Sequence, residues 1–321
     1  RWAVEAQSIT LTEVAAGGEL SFDRRRFFRH SGIELSSKEQ FFYYEPIHIS
    51  PDSIDFLRQV CSPRDTLITY ELSHQSRELL TQAGLTYIDF WLHPVRFYDD
   101  IFFAVSSNDE AIRERLAAWR LDSRLLKLRA TEIVLSLIRG HARQYQKPPD
   151  NSALFVGQTP YDKALLHKGR MLNLLDYQKK FEALSERYDV VLFSRHPLVH
   201  SGDGDILRYI RTLPFARFIQ TPSYFLLGAE QVHGVYSISS SVVHEASYFG
   251  KETEYFHAPP VPMEDTLAAP AYTAIHGHFL TPQFWGDVLS SRHEVTSFEA
   301  LDLPSKPNRL RDALGMVYGF Q

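Results

Sequence analysis

The 321 residues carry 34 Lys and Arg against 39 Asp and Glu, a net charge of −5, with 44% hydrophobic and 23% charged residues. This is the composition of a globular chain long enough for two domains, and its scattered cations argue against a nucleic-acid partner, which calls for a gathered basic stripe. One cysteine, Cys61, excludes an internal disulfide framework and a multi-cysteine metal site and suits a reducing compartment, and no apolar run approaches the ~20 residues that span a bilayer.

The chain opens on Arg1-Trp-Ala-Val, with no Met and no charged-then-apolar secretory signal, so it reads as a cytoplasmic piece of a longer protein. Cys61, at a helix end before Ser62-Pro63, reads as structural. Thr66-Leu-Ile-Thr-Tyr-Glu71 is predicted as a buried strand ending on a carboxylate. A helix over 76–83 follows and stops at Gly84. Strands are predicted at 86–92 and 101–105, then one long helix from Asp109 to about Ala142, entered through the capping cluster Ser106-Ser-Asn108. Lys147-Pro-Pro-Asp-Asn-Ser152 reads as an interdomain linker.

Beyond the linker the rhythm is regular. Strands are expected at 153–157, 190–194, 218–220 and 231–236, alternating with helices at 171–188, 205–213, 224–227 and 242–249. Such alternation predicts a parallel sheet wrapped on both faces, with ligand-binding loops at its carboxyl edge. The fold class is α/β, with an N-terminal domain over 1–148 and a C-terminal one over 149–321, both Rossmann-like and facing across a cleft. The segment after Pro282 and the last helix, from Arg309, are expected to brace the domains or return to the first. Gly-x-Gly-x-x-Gly and Walker loops are absent.

Three loops at strand ends carry the chemistry. Gly157-Gln-Thr-Pro-Tyr-Asp162 places Asp162 to act as base or nucleophile, or to cap the next helix. In Ser194-Arg-His-Pro197, the proline fixes the exit from the strand and holds His196 at the sheet edge, to bond a phosphate or protonate a leaving group. Ser237-Ile-Ser-Ser-Ser241 enters a helix bearing Glu245, and helix N-terminal N–H groups with Ser hydroxyls make a phosphate seat, although one Ser suffices as a cap. In the first domain Glu71, with His74 nearby, is the candidate to assist an acceptor hydroxyl. His93, Arg96 and Asp99 are candidates for the acceptor side. Asp203-Gly-Asp205 imitates a metal-binding pair but sits in a turn-forming Gly-rich stretch, so no metal is expected.

The series Gly157-Gln158-x-x-x-Asp162, His196-Pro197, Ser239-Ser-Ser241 with Glu245, together with Tyr70-Glu71-Leu72 and Trp91-Leu-His-Pro-Val-Arg-Phe97, resembles bacterial β-Kdo transferases of capsule and lipopolysaccharide assembly. The resemblance covers roughly residues 65 to 290. It implies a GT-B fold, CMP-β-Kdo as donor, a surface-glycan acceptor containing galactose, and no cofactor or metal. Any membrane contact, at the inner face of the inner membrane, would come through segments outside this chain. It also implies that His196 and the serines hold the CMP phosphate, with Gln158, Arg195, Pro197 and Glu245 on the donor side. Retention of configuration would then follow from two displacements or a front-side attack, the simplest reading being two displacements with Asp162 as nucleophile. The Kdo carboxylate beside the reacting carbon repels that attack unless cations neutralise it, and Lys163, Lys168, Arg170 and Arg195 are near in sequence. Two other readings stand: an inverting sialyl-type transferase with Asp162 as base, and a non-catalytic sugar- or nucleotide-binding module, which two lobes also permit.

Overall fold

The computed structural model describes residues 1–12, 14–15, 20–34, 48–140, 147–168, 170–263, 271–301 and 306–315. It divides into two units: unit 1 is Arg1–His93, Asp99–Leu121 and Met263–Met316, and unit 2 is Pro94–Tyr98, Asp122–Pro262 and Val317–Gln321. The main strands are β1 (Thr66–Tyr70), β2 (Thr86–Leu92), β3 (Phe103–Ser107), β4 (Ser152–Val156), β5 (Val190–Ser194), β6 (Ala216–Ile219), β7 (Val232–Ser237), β8 (Glu252–Tyr255) and β9 (Thr273–Ile275). The main helices are α1 (Pro51–Val60), α2 (His74–Gln82), α3 (Glu110–Ala118), α4 (Ser123–Gly140), α5 (Gly204–Thr212), α6 (Ser223–Gly228), α7 (Val242–Tyr248) and α8 (Pro282–Leu289).

Unit 1 holds a four-stranded sheet in the order β9-β3-β2-β1. Only β1 and β2 are parallel, while β3 runs antiparallel to both β2 and β9. The Rossmann-like expectation for this half therefore does not extend past β2. The ten residues between β2 and β3 contain no helix, and a parallel crossover needs a dozen or more, usually helical. One sheet face is covered by Phe56, Leu57, Leu79 and Leu80 of α1 and α2 with Phe27 and Phe28. The other packs Ile88, Phe90 and Val105 against Ile112, Leu116, Phe284 and Trp285. The α1 helix begins with a reciprocal Ser50–Ser53 capping box and ends at buried Cys61, whose thiol is pushed up by burial.

The single helix expected from Asp109 to Ala142 is two helices, of which 141–142 lie outside the described residues. The break at Trp119–Asp122 has no Gly or Pro to announce it. Instead Leu121 N–H donates to Ala274 C=O, Trp119 Nε1 donates to Asp287, and Asp122 turns back to accept from Arg124 N–H. Tertiary bonds thus override local propensity. The helix expected over 171–188 is likewise three short turns, begun by the Asn173–Asp176 capping box.

Unit 2 is built on a five-stranded, wholly parallel sheet in the order β6-β5-β4-β7-β8. Counting from β4, the order is 3-2-1-4-5, so the winding reverses between β4 and β7. The loops that follow those two strands flank the crevice where doubly wound sheets bind ligands. Successive residues alternate faces. Phe155, Phe193 and Tyr236 enter one core with Phe181 and Ile210, while Leu154, Leu192 and Val235 enter the other with Leu226, Val243 and Ala246. At Gly234 a side chain has no room, because a Cβ would meet the Tyr188 hydroxyl, itself bonded to Tyr236 Oη at 2.8 Å and Glu252 at 2.9 Å. Gly234→Ala is expected to destabilise unit 2 by about 1–3 kcal/mol through overpacking, measurable as a lower urea midpoint.

Candidate active site

The loop after β4 and the loop after β7 meet at one side chain, Gln158. Its Oε1 accepts from the Ser239 N–H at 2.9 Å and from the Ser237 hydroxyl at 3.3 Å. Its Nε2 donates to Asp162 Oδ2 at 3.1 Å and to the Ser239 hydroxyl oxygen at 3.2 Å. The amide therefore uses both ends to lock the acid to the switch-point loop. Asp162 also caps the 3₁₀ turn Lys163–Leu165, its Oδ1 accepting from Ala164 N–H at 2.9 Å. The capping and chemical readings of this residue are thus compatible: one oxygen per donor fixes the carboxylate plane.

His196 follows β5, which pairs directly with β4. Gly157 lets these two strand ends close up, since a Cβ there would lie 3.1 Å from Ser194 C=O. The His196 Nδ1 accepts from Leu198 N–H at 3.2 Å, which leaves the proton of the neutral ring on Nε2. Burial pushes the His196 pKa down, opposed by the negative charge of Asp162. The ring is therefore a neutral hydrogen-bond donor rather than a ready acid.

A cavity of about 180 Å³ opens at the ends of β4 and β5. Gln158, Asn173, Arg195, His196, Asp203 and Asp205 are on its polar side, and Phe155, Leu172, Phe193 and Val199 are on its apolar side. Asp162 is not among the lining residues and reaches the cavity only through Gln158. An apolar bed with a few convergent polar groups is the usual build of a small-molecule site.

The other expected donor residues fall into three groups. Arg195 makes a bidentate ion pair with Asp203, Nε to Oδ2 at 2.6 Å and Nη2 to Oδ1 at 2.8 Å, which holds Asp203 low and Arg195 high. Asp203, read as a turn former, is thus the anchor of the loop behind His196, and Asp205 pairs with Arg208. Ser239 is buried and its hydroxyl donates to Ala164 C=O at 3.1 Å, so its first task is joining loops. Ser240 and Ser241 are half-buried at the start of α7, and Pro197 is exposed.

Glu245 lies away from this cluster. It is 1% exposed, and its Oε1 accepts from Arg96 N–H at 2.5 Å and Tyr224 Oη at 2.9 Å. Phe97, packed among Tyr224, Tyr248 and Phe249, completes the seat for the segment Pro94–Tyr98. Burial pushes the Glu245 pKa up to about 7. Arg96, expected on the acceptor side, belongs to unit 2 through this anchorage.

In unit 1, Glu71 ends β1 in a left-handed conformation (φ 54°), its N–H donating to Phe90 C=O. His93 is 1% exposed and stacks on Phe102 at 4.1 Å, so it is a core histidine. Asp99 is exposed, its backbone carbonyl accepting from Asn308 N–H. The neighbouring Asp100 is buried and caps the helix Arg309–Ala313 through Leu310 and Arg311 N–H. Sequence reading took Asp203 only as a turn former and missed Asn173 and Asp100, choosing Asp99 over its neighbour. It also missed Asp89, fully buried in β2, which accepts from Thr69, Leu72 N–H and Trp91. Among the described residues no group of three or more His, Cys, Asp or Glu is placed to hold a metal ion, and no helix is long and apolar enough to cross a membrane.

No family model and no curated protein matches the chain. Among solved structures it is similar to Thermosulfurimonas dismutans KpsC, beta Kdo 2,7 transferase, at 16% identity over 66% of this chain and 70% of that one, with a TM-score of 0.40. It is also similar to Thermosulfurimonas dismutans KpsC, beta Kdo 2,4 transferase, at 16% identity over 60% and 69%, with a TM-score of 0.36.

Proposed function

We propose that this chain is a glycosyltransferase that moves Kdo from CMP-β-Kdo to a hydroxyl of a bacterial surface glycan, with retention through a covalent adduct on Asp162. The observation that carries the reading is the bridge by Gln158, which binds a carboxylate and the β7 loop at the switch point of a parallel sheet. A sugar nucleotide needs such a pairing of an acid at the anomeric carbon with donors at the phosphate.

In the first step an Asp162 oxygen forms a bond to the Kdo ketal carbon, while the bond from that carbon to the CMP phosphate oxygen breaks. CMP departs with the electron pair. A phosphate leaves as an anion, so it needs hydrogen bonds rather than a proton, and the neutral Nε2–H of His196 supplies one. In the second step the acceptor hydroxyl attacks the same carbon from the opposite side, and the Asp162 carboxylate is released. The acceptor hydroxyl's proton leaves to water as its oxygen bonds to the carbon. Lys168, close to Asp162 in sequence, is the cation we assign to the donor carboxylate, because Arg195 is neutralised by Asp203 and Arg170 is paired with Asp176. No metal or cofactor enters this scheme.

Incubation of the protein with CMP-Kdo and a panel of galactose-ended acceptors tests it directly: CMP release with a β-linked Kdo product is expected. His196→Ala is expected to lower kcat/KM for CMP-Kdo about 100-fold, the scale of one lost oxyanion-type donor, with no change in thermal midpoint above about 2 °C. Steady-state kinetics and calorimetry measure the two.

A further inference from the structure

Helix α4 (Ser123–Gly140) has an inner and an outer face. Leu126, Ala130, Ile133 and Leu137, spaced by three and four residues, make the inner one. The first three are buried, and Leu137 lies against Gly228 of α6, its Cδ1 3.2 Å from the position of a Cβ there. The helix also packs on α7, so unit 2 holds it in this rotation. Leu125, Leu128 and Leu135 make the outer face and are 43%, 56% and 53% exposed. They run for about 15 Å along the axis. An isolated exposed leucine needs no explanation, but three in line on one helix form a patch.

The margins of this stripe are basic. Arg124, Lys127 and Arg139 are exposed. Arg124 pairs with Asp122, and Arg129 pairs at 2.9 Å with Glu132, the one acid of the helix. Glu132 stands between Leu128 and Leu135 on the outer face, and this pairing offsets its charge. Residues 123–149 hold six Lys or Arg against one Glu, in a chain whose net charge is −5. The stretch is thus strongly cationic within an acidic chain, and its helix turns leucines outward among the charges.

We infer that α4 lies on an anionic lipid bilayer, with Leu125, Leu128 and Leu135 entering the headgroup boundary and Lys127 and Arg139 on the lipid phosphates. A helix with outward leucines beside cations binds in this way, through apolar burial and attraction to negative lipid together. Long Lys and Arg stems keep the charges at phosphate level while the leucines go deeper. A second copy of the chain fits the face less well, because it would set the same cations against one another. Nucleic acid has no use for the leucines, since its phosphates answer only to the charges. The sequence alone places membrane contact outside this chain; α4 brings it inside, independently of which sugar or nucleotide unit 2 binds.

Co-sedimentation with vesicles of equal parts phosphatidylcholine and phosphatidylglycerol tests this. The wild type is expected to pellet with these vesicles and far less with phosphatidylcholine alone. About 0.5 M NaCl, which shortens the reach of surface charge, is expected to release it. Leu128→Ser with Leu135→Ser, and separately Lys127→Glu with Arg139→Glu, are each expected to lower the partition coefficient about tenfold. All four positions are exposed, so both variants are expected to keep the wild-type thermal midpoint, and the charge variant tests the face even where the serines disturb the helix. An unchanged partition in either double variant, equal binding to phosphatidylcholine alone, or no binding by the wild type overturns the inference. So does a wild-type dimer in light scattering that Leu128→Ser with Leu135→Ser dissociates, since a second copy would then cover the stripe.

Discussion

Asp162→Asn is expected to abolish Kdo transfer, lowering kcat by roughly 10³-fold or more, and to leave no sugar attached to the protein. The amide keeps an oxygen for the Ala164 N–H, so the 3₁₀ turn and the loop survive, and only the Gln158 contact must rearrange. What disappears is the negative oxygen that would bond the ketal carbon. Wild-type protein mixed with CMP-Kdo and quenched should carry one Kdo on the peptide containing Asp162, visible by mass spectrometry. The variant should carry none. Normal turnover by the variant, or an adduct on another residue, would end the nucleophile assignment. Product stereochemistry by NMR separates it from the inverting scheme, in which the same variant is dead because it lacks a base.

Glu245→Gln is expected to remove a pH-dependent component of the stability of unit 2 that acts between about pH 4.5 and 7. The carboxyl is fully enclosed, with Arg96 N–H and the Tyr224 hydroxyl donating to it and the Arg96 charge partly offsetting its isolation. Burial raises it from its ordinary 4.5 to about 7. Between those values the folded state binds a proton that the unfolded chain releases, so stability falls as pH rises through this window. The contribution is present in full below pH 4.5 and is lost by about pH 7, amounting to roughly 3 kcal/mol. Glutamine presents the same acceptor oxygen without the charge. Urea unfolding at pH 5 and pH 8 should show the wild type weakened at the higher pH, and the variant should lack this component and be the more stable of the two at pH 8. A variant weaker than wild type by the same amount at both values would mean that the carboxylate is ionised and paired with Arg96.

The parts of the fold legible in sequence are those whose signal is local. Strand β2 falls on the predicted residues 86–92, and β4, β5 and β7 fall within one or two residues of theirs, because continuous apolar runs bounded by turn formers suit strands buried on both faces. Strand β8, Glu252-Thr-Glu-Tyr255, is a polar edge strand without a run to detect, and β9 has three residues. The two His-Pro dipeptides mark the limit most clearly. His93-Pro94 and His196-Pro197 are alike as sequence, yet one ring is closed against Phe102 and the other lines a cavity, a distinction made by residues elsewhere in the chain. The Gln158, Asp162 and Ser239 grouping was readable because each lies directly after a strand of one parallel sheet. The Arg195–Asp203 and Glu245–Arg96 pairs were not, since pairing needs coordinates that spacing does not supply.

The discontinuity of unit 1 bears on how the chain is made. A ribosome delivers β1, β2 and β3 first, but the strand that completes their sheet is Thr273–Ile275, and the helix that covers Phe90 and Val105 with Phe284 and Trp285 is Pro282–Leu289. Between them comes residue 122 to 262, almost the whole of unit 2, with its own closed pair of cores. The half synthesised first is therefore finished last, and during translation the sheet face that Ile112 and Leu116 cover only in part waits for Phe284 and Trp285 while about 150 further residues emerge and fold. In such a chain the exposure of apolar surface during synthesis falls on the early sheet, while the later unit, which holds the candidate site, closes its own two cores without waiting for a distant segment.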